Sequence, residues 1–101
     1  MEEDINKNLN DLIIFMHNKC GDEKIYVSDL LQKFTNEKKH DLGHIDDQVK
    51  YIILLEGKGW IKNVSSPEYF KNKMSYSSSI KITPDGINYV NSIKSIEKND
   101  S

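Results

Sequence analysis

The apolar residues of this chain change their spacing near Gly59, and this change limits the folds that the chain can adopt. Before that point they recur every three or four residues, which is the period of an amphipathic helix. From Ile61 to Ile82 they tend to alternate, as in a half-buried strand, and after Thr83 the helical spacing returns. A chain of 101 residues has room for one hydrophobic core. We therefore expect a single α+β domain over residues 1–101.

The first half of the sequence predicts two helices joined by a short strand. The first helix is expected to end at Gly21, and its apolar face comprises Ile5, Leu9, Leu12, Ile13, Met16 and Cys20. Residues 24–27 form a short run rich in β-branched and aromatic residues, which predicts a brief strand. Ser28 then has the residue type of an N-cap for the second helix, whose inward residues are Leu30, Leu31 and Phe34.

A third helix is predicted before the change in spacing. Its inward face is expected to comprise Ile45, Val49, Ile52, Ile53 and Leu55. Gly57 and Gly59 then end the helix. Asp46 and Asp47 lie in its first turn, where the helix dipole favours carboxylates.

A long β-hairpin is predicted after Gly59. With its turn centred on Asn72, the opposed pairs are Phe70 with Met74, Val64 with Ile80, and Lys62 with Ile82. One face of the second strand then comprises Met74, Tyr76, Ser78, Ile80 and Ile82. Pro67 interrupts regular pairing, so we expect a bulge or an edge there.

The last predicted helix begins at a clear start signal. Thr83 is suited to the N-cap and Pro84 to the first helical position, where its missing N–H costs nothing. The apolar stripe that follows comprises Ile87, Val90, Ile93 and Ile96. Trp60 is expected in the core at the start of the hairpin, where its indole N–H requires a hydrogen-bond acceptor.

Positive charge is concentrated in one part of the chain, although the net charge is −2. Residues 1–57 contain 7 lysines and 12 acidic residues, whereas residues 58–81 contain 5 lysines and a single acid, Glu68. All 14 basic residues are lysines, so the guanidinium group that binds guanine or phosphate through two parallel hydrogen bonds is absent. The hairpin is therefore the positively charged element.

Two segments carry a resemblance to a known superfamily. Residues 52–61 (IILLEGKGWI) and 80–86 (IKITPDG) are similar to the end of the third helix and the entry to the last helix in PadR-type and MarR-type regulators. The whole chain thus resembles a winged helix-turn-helix domain. This resemblance implies a three-helix core with a short strand, a long β-hairpin wing and a C-terminal helix. It also implies a small transcriptional regulator of a prokaryote, phage or plasmid.

The resemblance implies where such a protein contacts double-stranded DNA. The third helix of this fold usually lies in the major groove, and its outward positions here include Gln48, Lys50 and Tyr51. Gln48 has the geometry to bind adenine, and Lys50 suits guanine or phosphate. The wing would follow the sugar-phosphate backbone or enter a minor groove, and its contact residues would be Lys62, Tyr69, Lys71, Lys73, Tyr76 and Lys81.

Simpler interpretations of the same residues remain open. Asp46 and Asp47 would face phosphate and be repelled by it, which favours a solvated helix face that reads no sequence. The hairpin lysines would equally serve to keep an exposed strand edge soluble. The alternative function is a winged-helix protein–protein interaction module that does not bind DNA.

The remaining expectations concern cofactors, assembly and location. His17, Cys20, His40 and His44 only superficially match zinc spacing, and no catalytic motif is present, so we expect no metal, no cofactor and no enzyme activity. The stripe of the last helix is longer than the core requires, which favours a homodimer through the first and last helices. The longest apolar run is too short for a membrane span, and a single cysteine with an acidic start fits a cytoplasmic protein.

Overall fold

The computed structural model describes residues 2–38, 45–65 and 73–100, with side chains described over 5–37, 47–65 and 73–94. Over these residues the chain forms four helices and three strands, which confirms the predicted α+β class. In chain order the elements are α1 (Glu2–Cys20), β1 (Ile25–Tyr26), α2 (Val27–Lys38), α3 (Ile45–Gly57), β2 (Ile61–Asn63), β3 (Ser79–Ile82) and α4 (Pro84–Asp100).

The three strands form an antiparallel sheet in which β3 lies between β1 and β2. Ile61 is opposite Ile82, so the hairpin register predicted from a turn at Asn72 is wrong by one residue. Directly opposed residues in an antiparallel pair lie on the same face of the sheet. The observed register therefore places two buried isoleucines together, whereas the predicted one would have placed Lys62 on the face of Ile82.

The strand pairing is shorter than the predicted long hairpin. Before β3 the chain forms a turn rather than a strand, because the Ser78 amide donates to the Ser75 carbonyl (3.1 Å) and the Ser75 amide to Ser78 Oγ (2.9 Å). The predicted inner face is nevertheless confirmed by burial: Ser78, Ile80 and Ile82 are buried, and Met74 and Tyr76 are half-buried against the core. The other predicted features, the pairing of Phe70 and the bulge at Pro67, lie outside the described residues.

The start of α2 differs from the sequence prediction. The helix begins at Val27, so Ser28 lies in its first turn and is not the N-cap. The backbone of the turn before β3 supplies the acceptors instead: the Val27 amide donates to the Ser78 carbonyl (2.8 Å), and the Ser28 amide donates to the Tyr76 carbonyl (3.0 Å). A helix start whose amides are bonded in this way needs no capping side chain.

The hydrophobic core is formed by the inner faces of the helices and of the sheet. Phe15 and Phe34 meet edge to face, with ring centroids 5.4 Å apart. The buried hydrophobic residues are Leu9, Leu12, Ile13, Phe15, Met16, Val27, Leu30, Leu31, Phe34, Ile52, Leu55, Ile61, Ile80, Ile82 and Val90. The prediction that Ile53 faces inward is wrong: α3 turns Ile52 and Leu55 to the core, and Ile53 is 46% exposed. Val49 is half-buried, and the side chain of Ile45 is outside the described set.

Helix α4 packs along α1 within the same chain. Tyr89 donates a hydrogen bond to Asn10 (2.6 Å), and Lys94 donates one to Asn18 (3.0 Å). Trp60 is half-buried and stacks on Tyr89, with ring centroids 3.8 Å apart. The predicted end of α1 at Gly21 is confirmed, and this glycine has a φ of 59°, which disfavours other residues.

The predicted start of α4 is confirmed. The Gly86 amide donates to Thr83 Oγ1 (3.0 Å), which is the bond of an N-cap, and Pro84 is the first helical residue. The same hydroxyl group donates to the Gly59 carbonyl, so Thr83 also joins α4 to the turn before β2.

Replacing Thr83 with alanine is expected to lower the free energy of unfolding by about 1 to 2 kcal/mol, because the helix loses its cap and the turn loses a donor. Urea unfolding of the wild type and variant measures this difference. Thr83→Ser keeps the hydroxyl group and should retain most of the stability. Equal losses in both variants would show that the methyl group, not the cap, matters at this position.

Candidate nucleic-acid interface

Three lysines form a row across the outer face of the sheet. Lys62 and Lys81 are directly opposed on β2 and β3. On the other side of β3, Ile25 is opposite Ile80, and extending this register by one residue places Lys24 beside Lys81. Lys24 and Lys81 also line the same surface concavity. We refer to Lys24, Lys62 and Lys81 as the lysine row.

The sequence creates this row through strand alternation. Ile61, Ile80 and Ile82 point into the core, so the residues between or beside them point to solvent. Lys24 and Lys62 are exposed and Lys81 is half-buried. Like charges that are directly opposed in a sheet are unfavourable for folding, so this arrangement has no evident structural benefit.

The charges around the lysine row leave it positive. Asp22 and Glu23 line the concavity beside Lys24 and Lys81, and they offset part of the charge at that end of the row. Among the residues that the structure describes, none of the three lysines has an ion-pair partner. The ammonium groups therefore remain available to an external anion.

A cavity of about 280 Å³ lies next to the lysine row. Tyr26 is 56% exposed and is opposite Ser79, two residues along the strands from the pair formed by Lys24 and Lys81. Lys73 is exposed and reaches the same cavity from the turn before β3. We call this the serine cavity, and its lining residues are Lys24, Tyr26, Val64, Ser65, Lys73, Ser75, Ser77, Ser78 and Ser79.

The outward side of α3 offers less positive charge than the sheet. Lys50 is exposed, but its ammonium group lies 3.4 Å from the Asp47 carboxylate in a solvated ion pair. Gln48 is half-buried and engaged within the chain. Tyr51 is half-buried, and its hydroxyl group accepts a hydrogen bond from Asn8 (3.1 Å). Of the predicted α3 contacts, only Lys50 is fully exposed.

An apolar surface continues along α3 beyond these polar residues. Leu54 is 45% exposed and, with Ile5 of α1, borders a groove of about 270 Å³ that also contains Lys50 and Tyr51. Ile53 is the next exposed residue on the same helix. This surface suits a protein partner better than the phosphate backbone.

The structure divides the predicted hairpin contacts into three groups. Lys62 lies in the lysine row and Lys73 at the serine cavity. Tyr76 is half-buried against the core, and its carbonyl accepts from the start of α2. Tyr69 and Lys71 lie outside the described residues. Lys81, a further hairpin lysine of the sequence prediction, also lies in the lysine row. The site residues that the sequence prediction missed are Lys24 and Tyr26.

The described part of the chain contains no group of three residues able to hold a metal ion. Cys20 is half-buried, and burial raises the pKa of its thiol, with Lys33 lowering it and Glu23 raising it further. Its thiolate is therefore disfavoured at neutral pH. His40 and His44 lie outside the described residues.

Comparisons with known proteins identify no relative of this chain. No protein-family profile matches it, and neither a curated protein nor a solved structure shows significant similarity to it. Within the described ranges, no helix is long and apolar enough to cross a membrane. The function of this chain is therefore inferred from its own residues.

Proposed function

We propose that this chain is a winged helix-turn-helix domain that binds double-stranded DNA and acts as a small transcriptional regulator in the cytoplasm. The order of its elements supports this proposal: three helices with a short strand after the first, then a β2 and β3 pair, then a last helix. In this scheme α3 corresponds to the groove-binding helix, and the connection between β2 and β3 corresponds to the wing.

The lysine row is the observation that carries the proposal. Lys24, Lys62 and Lys81 present unpaired ammonium groups on one sheet face, and Lys73 extends that face at the serine cavity. A phosphate backbone offers a line of negative charges that such a face neutralises, with release of counterions. Lysine contacts of this kind hold a protein on DNA without reading its sequence.

The role that we assign to α3 is secondary. On the outward side of α3, Asp47 forms an ion pair with Lys50, and this carboxylate reduces the attraction of the helix surface for phosphate. Gln48 and Tyr51 are half-buried, so base contacts by these residues require a change in their present interactions. We therefore expect the sheet and wing to supply most of the affinity.

A fluorescence anisotropy titration of the protein into a labelled AT-rich duplex tests this function. Four phosphate contacts predict a slope of about −3.6 for log K against log salt, and a Kd in the micromolar range or weaker at physiological salt. Binding that weakens along this slope is the expected result. No binding at ~20 mM salt and ~100 µM protein would contradict the proposal, since electrostatic attraction is strongest there.

The second candidate function is a winged-helix protein–protein interaction module without DNA binding. The exposed apolar residues Ile5, Ile53 and Leu54 favour it, because a solvated helix face rarely needs them. Under this alternative the anisotropy titration shows no binding. Replacing Lys71 and Lys73 with alanine also separates the two functions, since only the DNA-binding function predicts a loss of DNA affinity.

Homodimerisation through α1 and α4 is part of the proposed function. These helices already pack together within one chain through Tyr89 and Lys94, and a dimer would use their remaining outer surfaces. The two copies would then bind two DNA half-sites about one helical turn apart. Light scattering on the titration sample distinguishes the 11.7 kDa chain from a species of twice that mass.

A further inference from the structure

The serine cavity has an unusual lining for a surface concavity. Of the nine described residues that line it, eight carry a hydroxyl or ammonium group, and Val64 is the apolar one. Among the described residues none that lines it is acidic, although the chain as a whole contains more acids than lysines. Hydrogen-bond donors and positive charge therefore converge on the described lining of this cavity.

Hydrogen bonds of the backbone and of serine side chains fix the walls of the serine cavity. The turn before β3 is closed by the bonds between Ser75 and Ser78, and the Ser78 carbonyl is held by the Val27 amide (2.8 Å). On the opposite wall, Ser65 Oγ accepts from the Ser79 amide (2.9 Å) and donates to the Asn63 side chain. These bonds connect the cavity to α2 and to both neighbouring strands, so its shape is set by the fold.

Several donors around the cavity remain uncommitted. The ammonium groups of Lys24 and Lys73 and the hydroxyl groups of Tyr26 and Ser79 have no hydrogen-bond partner among the described residues. Ammonium and hydroxyl groups are the kinds of donor that bind phosphate oxygens. A hydrogen bond from an ammonium group to a charged oxygen is about twice as strong as one between neutral groups. The volume, about 280 Å³, is at the lower end of small-ligand sites.

We propose that the serine cavity binds a phosphate ester group through Lys24, Lys73 and Tyr26. Two sources offer this chemistry: a free phosphorylated small molecule and a phosphodiester of the DNA backbone. Binding of a free phosphate ester does not depend on the proposed function. Binding of a DNA phosphodiester rests on the proposed function, because it requires that the protein binds DNA. If the ligand is a DNA phosphodiester, the cavity is the point at which the sheet face binds one particular phosphate.

An NMR titration of the ¹⁵N-labelled protein with inorganic phosphate tests this site, with sodium chloride at matched ionic strength as the reference. Saturable shifts of the Ser75, Ser77, Ser78 and Ser79 amides, absent with chloride, are the expected result. Lys73→Ala should weaken phosphate binding about tenfold, since it removes a charged donor. Tyr26→Phe keeps the ring and should weaken binding by a smaller factor.

Lys7→Ala is the matched control, because Lys7 is an exposed lysine on α1 and is not one of the residues that line the cavity. It should leave the phosphate affinity unchanged. Shifts no larger than those with chloride, or equal affinity in the Lys73 and Lys7 variants, would overturn the phosphate site. Neither result depends on whether the protein binds DNA.

A competition experiment then identifies the source of the phosphate. If the site holds a backbone phosphodiester, saturating phosphate should raise the Kd for the AT-rich duplex more than chloride does at the same ionic strength. If the site holds a free ester, phosphate should bind with the same affinity whether or not the duplex is present. A failure to bind DNA with retained phosphate shifts would reject the proposed function and leave the phosphate site supported.

Discussion

Replacing Gly86 with alanine is expected to lower the free energy of unfolding by about 3 kcal/mol, the largest stability effect of any single methyl group considered for this chain. Gly86 is buried in the first turn of α4. A Cβ atom there would lie 2.2 Å from the Trp60 carbonyl oxygen and 2.8 Å from Ile82 Cγ1. Because the closest atom belongs to the backbone, a side-chain rotation does not relieve the overlap.

The surrounding hydrogen bonds explain why the helix does not simply move away. The Trp60 carbonyl accepts from the Thr83 amide (2.9 Å), and the Thr83 carbonyl accepts from the Ile87 amide (2.9 Å). A shift of α4 that makes room for the methyl group would disturb these bonds and the cap at Thr83. The glycine is thus required for space in this turn and not for an unusual φ angle.

Urea unfolding of Gly86→Ala and Gly57→Ala tests this account. A Cβ atom at Gly57 would meet nothing within 4 Å, so that variant should be neutral or more stable by up to about 1 kcal/mol. A loss of stability in Gly86→Ala alone is the expected outcome. Similar unfolding midpoints and slopes for both variants would show that α4 does not approach Trp60 as closely as described.

The second large effect concerns DNA affinity. Replacing Lys24, Lys62 and Lys81 with glutamine should weaken binding to the AT-rich duplex roughly a thousandfold at ~50 mM salt, because each phosphate contact contributes about one order of magnitude there. The fold should be retained, since these side chains are outside the core and the substitution removes repulsion between opposed charges. Anisotropy measures the affinity, and circular dichroism checks the fold.

The matched control replaces Lys7, Lys19 and Lys33 with glutamine. These lysines are exposed on α1 and α2, and their loss changes the net charge by the same amount. Lys19 gives up a solvated ion pair with Glu37, which contributes little to stability. The control should lose less than about tenfold in DNA affinity, because it changes only the overall electrostatic field of the protein. Equal losses in the two triple variants would indicate that net charge, and not the lysine row, determines binding.

Local signals allowed the sequence to predict most of the helices. The Thr83, Pro84 and Gly86 signature concerns neighbouring residues, so it predicted the start of α4 correctly. Gly21 likewise predicted the end of α1. The start of α2 was missed because its acceptors come from a turn about fifty residues further along the chain, which no pattern around Ser28 reveals.

The error in the hairpin register has a simple physical origin. Centring the turn on Asn72 placed Lys62 opposite Ile82, although opposed residues share a face of the sheet. Requiring Ile61 and Ile82 to share the inner face would have given the observed register. The serine turn before β3 was missed because serines that alternate with Met74 and Tyr76 look like a strand.

The candidate site was predictable only in part. Lys62 and Lys73 were identified from the concentration of lysines in the hairpin, and both lie on the surface proposed to bind phosphate. The sequence prediction missed Lys24 and Tyr26, although they flank Ile25 in the predicted strand and alternation places them on one face. Their position beside Lys81 and Ser79 depends on the pairing of β1 with β3, which brings together residues distant in sequence.

The salt dependence of DNA binding is the most direct test of the proposed function. The slope of log K against log salt should be about −3.6 for the wild type and for the Lys7, Lys19 and Lys33 control. Loss of the lysine row should make the slope shallower by about 2.7, since three phosphate contacts no longer release counterions. An unchanged slope in the lysine-row variant, or no DNA binding by the wild type at low salt, would contradict the proposal that this face binds DNA.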